Sequence, residues 1–496
     1  MKGRKLSIYG SLLLLSVFLS VLVAPTAVLA DKGKKGAEIT VTAGDDKILK
    51  NTPVIIDVGD LPEGVENLAT AIVYDGDTEL QTQADDLDGD GTIDEIVFQL
   101  PAYIEANKDK KFSLYTQETG TDNNQTATIT AGQGKYNETY DDWLPSTAYS
   151  NFKNATGHTA PMVLEVGDVV WIDTDWATMC VYISAGWRKS AFKHIYMKDD
   201  NWDMTMAKWD PWTDWQVQWT RQFWEADYGW HDGNDFGNTS DTVEMLKVGP
   251  VRCILQTKSG IGYNGALGKH DTLRALRTFT FYNGFAGIHQ NIRLTGGDEV
   301  AASTGMTALY GGPLQFTTKI LDFSANTSAT PWTSYPKSNG FDKVYAPGTP
   351  NKGGNSDRYQ AVDSNRVLDL TKATATYFGM YSSASKNGYM LNFALGENAT
   401  AFIKDHITSI DWSDGEIVVK QEYEKFPLEG INRVLVPFSG SGAGTDVGAH
   451  MDALNDAWAT ELDVEVSEPA AAPGFELLLT IVVATGLAVM YKRKQK

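Results

Sequence analysis

Apolar and polar residues alternate along this chain in short runs of five to ten, with little of the three-and-four spacing that marks helices. In the first quarter such runs are Ala37 to Thr42, Pro53 to Val58, Ala69 to Tyr74, Glu95 to Leu100 and Lys111 to Thr116. Each is rich in β-branched or aromatic residues and is bounded by Gly, Asp, Asn or Pro, which predicts strands separated by turns. A polar stretch, Gln117 to Gly134, follows, with Ile129 its only large apolar residue. Strand-like runs then recur at Met162 to Val166, Val169 to Asp173, Val248 to Thr257, Leu276 to Tyr282, Ile288 to Thr295, Leu314 to Thr318, Tyr389 to Ala394, Glu416 to Gln421 and Val434 to Phe438. One segment reads as a helix: over Val447 to Glu461, Met451, Leu454 and Trp458, and then Leu462 just beyond, return at spacings of three and four.

So many strands with so few helices predict an all-β fold, in which a small N-terminal β-barrel precedes a large antiparallel β-sandwich. No fixed period repeats, which argues against a propeller or solenoid. The expected division is a barrel over 36–118, a linker over 119–139 and the sandwich over 140–465.

The two ends read differently from the body. Lys2, Arg4 and Lys5, the apolar run Leu12 to Val23 and the small residues around Ala30 form a signal peptide over 1–30. Residues 466–496 form a linker and tail. In it Pro473, Gly474 and Phe475 precede an uncharged segment, Leu477 to Tyr491, and the basic end Lys492 to Lys496. As a C-terminal hydrophobic helix that segment would reach roughly 22 Å at 1.5 Å per residue, short of the roughly 30 Å hydrocarbon core. Such a segment is either a processing signal or an ordinary membrane anchor. Both place the body at the extracellular face of the membrane.

The chain carries a net charge of −21 over 496 residues, which disfavours nucleic acid and anionic lipid surfaces as partners of the body. Only Cys180 and Cys253 are present, so a single disulfide or two separate buried thiols are the alternatives. Six sequons, at Asn124, Asn137, Asn154, Asn238, Asn326 and Asn398, suit an exported protein.

The strongest chemical motif is Asp86-Leu87-Asp88-Gly89-Asp90-Gly91-Thr92-Ile93-Asp94-Glu95. Asp86, Asp88, Asp90 and Asp94 recur as hard oxygen donors, Gly91 permits a sharp turn, and Thr92 can offer its carbonyl, the spacing of a Ca2+ loop. A strand follows where an EF-hand would begin a helix, and Glu95 either replaces the missing bidentate ligand or points into solvent. The alternative is an Asp/Gly hairpin turn that holds no ion.

A second constellation is aromatic: eight of the fourteen tryptophans fall between 187 and 230. Trp202, Trp209 and Trp212 stand among Asp and Asn residues, with Arg188 upstream. Aromatic faces beside carboxylates and amides suit a sugar-binding groove, and equally a long loop pinned by its own rings. Nearby, His231 with Asp232, and Arg221, are the acid/base candidates, although the Gly/Asp/Asn-rich surroundings of His231 also read as a turn. The single Gly260-to-Gly265 match to a dinucleotide fingerprint lacks a following helix and reads as a glycine-rich turn.

Pro473-Gly474-Phe475, the apolar segment and the basic end resemble the archaeal PGF-CTERM sorting signal. That resemblance implies cleavage by an archaeosortase-like enzyme and attachment to lipid. Pro53 to Ile56 and Gln81 to Phe98 resemble a secreted family of unknown function found with polysaccharide-degrading systems, whose first domain is similar to the small barrel of exo-rhamnogalacturonan-lyase-like proteins. Arg277 to Arg293 is similar to strands of a galactose-mutarotase-like supersandwich. These resemblances imply a surface protein that interacts with a polysaccharide or cell-envelope glycan. Whether it is a lyase or glycoside hydrolase, a glycan-binding protein, or a structural or adhesion protein stays open at this level.

Overall fold

The computed structural model describes residues 32–120, 122–123, 125–136, 167–182, 192–198, 202–203, 218–225, 242–260, 274–296, 314–321, 343–345, 360–361, 366–367, 375–381, 388–413, 416–438, 446–460 and 462–469. Among them antiparallel strands dominate, as the alternation predicts, and no helix is long and apolar enough to cross a membrane. The segment expected to be a signal peptide, Met162 to Val166 and the tail segment from Leu477 lie outside the described residues.

The first strands are β1 (Lys34–Thr42), β2 (Pro53–Asp57), β3 (Ile72–Asp75), β4 (Thr78–Glu79), β5 (Thr82–Asp85), β6 (Glu95–Gln99) and β7 (Asp109–Thr116). They form two layers rather than the expected closed barrel: β2, β6 and β5 make one sheet, and β1, β7, β3 and β4 belong to another. Alternation explains the packing. Ile39, Val41, Val73, Phe112 and Leu114 point inward from one sheet and Val54, Ile56, Ile96 and Phe98 from the other, with Phe98 and Phe112 edge to face at 5.1 Å. Part of the segment expected to be a linker lies among the described residues. Asn123 donates to the carbonyls of Ala71 and Thr82, and the chain then enters β8 (Thr130–Tyr136).

β8 pairs with β9 (Gly167–Asp173), followed by β10 (Ala177–Tyr182), β11 (Phe192–Met197) and β12 (Trp202–Asp203) in a second five-stranded sheet. The body continues with β13 (Gln218–Glu225), β14 (Thr242–Val248), β15 (Arg252–Gly260), β16 (Arg274–Tyr282), β17 (Ile288–Thr295), β18 (Leu314–Leu321), β19 (Lys343–Tyr345), β20 (Gln360–Ala361), β21 (Arg366–Val367), β22 (Tyr377–Tyr381) and β23 (Gly388–Asn392). Helix α1 (Ala399–His406), β24 (Ile407–Ser413), β25 (Glu416–Tyr423), β26 (Ile431–Phe438), helix α2 (Val447–Ala459) and β27 (Asp463–Ser467) complete it. A nine-stranded sheet, ordered β14-β15-β16-β17-β26-β23-β22-β19-β20, faces a five-stranded sheet ordered β13-β18-β25-β24-β21. Across this sandwich Arg433 of β26 donates to Gln421 of β25.

Three sequence expectations change. The apolar run Val248 to Thr257 is no single strand, because Gly249-Pro250 turns the chain between β14 and β15. Helix α1 was not expected; it is short, and the exposed Asn398 caps it by accepting from Ala401 N at 3.1 Å. The thiol of Cys253 is free and buried, with burial pushing its pKa up to about 12, so the disulfide alternative falls.

Helix α2 matches its prediction within two residues. Asp446 caps it through Ala449 N, and Val447, Met451, Leu454 and Trp458 form the stripe that packs on the outer face of the nine-stranded sheet. Trp458 stacks on His289 of β17 at 6.2 Å and 13°. The strand that follows, β27, returns to pair with β1, so the sheet opened by the first described residues is completed by nearly the last.

Burial beneath Trp458 pushes the His289 pKa down from 6.5 to about 4, against a weaker opposing hydrogen bond with Asn432. The folded protein therefore holds His289 neutral where the unfolded chain already binds a proton. Stability is full above pH 6.5 and declines as pH falls toward 4, by at most about 1.4 kcal/mol per pH unit from this group. Urea unfolding followed between these limits should show that slope, and His289→Asn should flatten it by up to one proton.

Candidate metal centre

The Asp-rich motif is the connection between β5 and β6. Its conformation is dictated by its own side chains. Asp86 accepts from the backbone N–H groups of Gly89 at 2.7 Å and Gly91 at 3.0 Å, Asp88 from Asp90 at 3.0 Å, Asp90 from Thr92 at 2.7 Å, and Asp94 from Leu87 at 2.6 Å. Gly91 has φ +91°, a left-handed backbone that a side chain would strain.

Of the six residues the sequence nominates, Asp86, Asp88 and Asp94 converge, each offering a carboxylate oxygen within 4.8 Å of the others. Three hard oxygens around a tight glycine turn fit a Ca2+ ion whose further ligands are carbonyls and water. Asp90 is turned to the N–H of Thr92. Glu95 is engaged elsewhere: its Oε2 accepts from Arg252 Nη2, so the expectation that it supplies the bidentate ligand is corrected. Slight burial would raise the Asp86 pKa, yet the N–H groups of Gly89 and Gly91 and the charge of Lys247 hold it below the usual carboxylate range.

Beneath the loop lies a clamp with no counterpart in the sequence reading. Asp85 and Glu95 sit opposite each other at the base of the loop, and both carboxylates grip Arg252 at the start of β15. Arg252 Nε donates to Asp85 Oδ2 at 2.8 Å, with the two side chains 4% and 2% exposed. Gln83 completes the grip, accepting from Val251 N and Arg252 N and donating to Asp85 Oδ1. The chain passes so close that a Cβ on Gly249 would stand 2.3 Å from Gln83 Oε1. Burial lowers the guanidinium pKa, but Tyr282, Asp85 and Glu95 outweigh it, so Arg252 stays charged. Alongside, Val97 packs with Val251, Tyr282, Phe285 and Trp458.

Of the aromatic and acid/base candidates, the described residues include Trp202 and Arg221, which lie in different sheets. Trp202 opens β12 at the edge of one sheet, and Arg221 lies in a register shift of β13 in another. Arg188, Trp209, Trp212, His231 and Asp232 lie outside the described residues, as do Asn124, Asn137, Asn154, Asn238, Asn326, Pro473, Gly474 and Phe475.

The profile of a domain of unknown function (DUF4861) matches residues 45–171, which include the Asp loop. No curated protein matches the chain. Among solved structures the chain is similar to an α-mannosidase from Enterococcus faecalis V583, with 8% identity, TM-score 0.43, and coverage of 90% of this chain and 49% of that one. The chain thus spans about half the length of that structure. It is also similar to a galactose mutarotase-like protein from Lactobacillus casei ATCC 334, with 11% identity, TM-score 0.29, and coverage of 54% and 99% respectively.

Removing the guanidinium leaves a buried carboxylate without its charge partner. Arg252→Met should cost about 3–5 kcal/mol, and adding Asp85→Asn should recover part of it. Urea unfolding midpoints of the single and double variants provide the comparison.

Proposed function

We propose that this is an exported, surface-retained protein that binds a polysaccharide or cell-envelope glycan and carries a structural Ca2+ ion in the loop between β5 and β6. The observation that carries the glycan reading is the concentration of eight of fourteen tryptophans between residues 187 and 230, among Asp and Asn residues. Trp202, Trp209 and Trp212 would stack on the apolar faces of sugar rings, and Arg188 would meet hydroxyl or acidic groups. Retention would run through the tail, with Pro473, Gly474 and Phe475 read by an archaeosortase-like enzyme, and glycans would occupy the sequons. Asn398 supports the last point, since it is exposed and its cap uses only Oδ1.

Purified full chain titrated with acidic and neutral polysaccharides should bind at least one of them. The triple variant Trp202→Ala, Trp209→Ala, Trp212→Ala should lose at least tenfold in affinity while keeping its melting temperature. Unchanged affinity would sink the groove. Ultraviolet absorbance of unsaturated products, or release of reducing ends, would extend the reading to a lyase or hydrolase using His231, Asp232 and Arg221. Both signals should then vanish in His231→Ala.

For the cation, Ca2+ should raise the melting temperature by several degrees and a chelator should reverse it. Asp86→Asn with Asp88→Asn should abolish that response, because two of the three converging charges are gone.

A further inference from the structure

The pairing of β1 with β27 fixes where the two ends of the body leave the fold. The strands are antiparallel, with Glu38 opposite Ser467 and Thr42 opposite Asp463, so the start of β1 lies beside the end of β27. Parallel pairing would have put these points at opposite ends of a strand that spans about 30 Å over its nine residues. Thr116, at the end of β7, stands opposite Lys34 and marks the same end of the sheet. Thr42 and Asp109, opposite each other, mark the other end.

The chain is held close to the fold on both sides of this end. Before β1, Lys32 Nζ donates to the Gly76 carbonyl at 3.1 Å and to Asp77 Oδ1 at 2.7 Å, and it lies 4.8 Å from the centre of the Tyr74 ring. The Lys32 side chain is 12% exposed, so these contacts pin the first described residue to the first sheet. After β27, Pro469 is the last described residue. Pro473 lies four residues further on and Leu477 eight, which at full extension reach about 14 and 28 Å. Neither tether is longer than β1.

We propose that the end of the first sheet marked by Lys34, Thr116 and Ser467 is the surface this protein turns toward membrane lipid, with the Thr42 and Asp109 end turned away. The inference rests on the surface-retention reading above, and it holds whether the tail is cut at Pro473 to Phe475 and joined to lipid or keeps its apolar segment. A body on a tether no longer than its own first strand has little room to turn over. Its attached end stays at the surface, and the opposite end of the sheet is presented outward. The exposed residues at the attached end include Lys34, Glu118, Thr119, Ser467 and Glu468. That polar set suits hydrated head groups and not insertion among acyl chains, where unpaired polar groups are costly.

The test uses the full chain, returned from detergent to phosphatidylcholine vesicles that carry acceptor-labelled lipid head groups. A fluorescent non-natural side chain replaces Glu118 or Lys108, exposed residues just beyond the two ends of β7. The eight residues of β7 separate the two probes by about 27 Å, so the one at 118 should transfer energy about twice as efficiently as the one at 108. A flexible insert of about forty Gly and Ser residues after Pro469 adds about 35 Å of reach and should bring the two efficiencies together. Equal transfer in the original chain, stronger transfer from position 108, or a difference that survives the insert would each overturn the orientation and leave retention standing. Failure of the chain to float with the vesicles would instead overturn the retention reading, and the orientation with it.

Discussion

Arg252 is the residue through which the small N-terminal unit and the large sandwich are held in one arrangement. Its guanidinium is buried beside Asp85 and Glu95, its backbone N–H is held by Gln83, and the apolar contact of Val97 with Val251, Tyr282 and Phe285 lies alongside. The apolar patch supplies attraction without direction, since burial of carbon surface is indifferent to rotation. The ion pairs supply the direction, because a buried guanidinium tolerates few arrangements that leave no charge uncompensated. A second set of polar contacts surrounds the turn between β16 and β17. Asn51 reaches the Gly284 carbonyl, Asp175 accepts from Gly284 N, and Trp176 donates to the Tyr282 carbonyl. That turn is where the N-terminal unit, the sheet of β8 to β12 and the nine-stranded sheet meet.

Much of the architecture was legible because period-two alternation is a local property. Ala37 to Thr42, Lys111 to Thr116 and Ile288 to Thr295 emerged as strands where the pattern put them. What failed was whatever depended on partners far away in sequence. The N-terminal unit looked closed on itself, and no local pattern could show that one edge strand arrives from 463–467. Val248 to Thr257 looked continuous because Val248, Pro250 and Val251 keep the run apolar across the brief turn, which is buried against Gln83.

The same division applies to the candidate metal centre. Asp86, Asp88 and Asp94 could be nominated from spacing because they lie within nine residues of one another. Glu95 could not be separated from them, since its partner Arg252 lies 157 residues on. Neither Gln290 nor Arg433 carries a sequence signal: each stands beside another polar residue, Asn291 or Asn432, that the alternation does not set apart from it, and their pairing spans 143 residues.

The pairing of β27 with β1 also sets an order of events. A chain synthesised from its N-terminus presents β1 early, yet the partner for one of its edges lies some 420 residues later. Until then the ladder groups of Glu38 to Thr42 on that side stay open, the kind of edge that recruits strands from neighbouring molecules. Contacts this distant in sequence form slowly, because a long loop must close before they are rewarded. Assembly of the first sheet thus waits until the chain has been made through β27, and a molecule cut short anywhere before it keeps an adhesive edge that the longer chain has hidden.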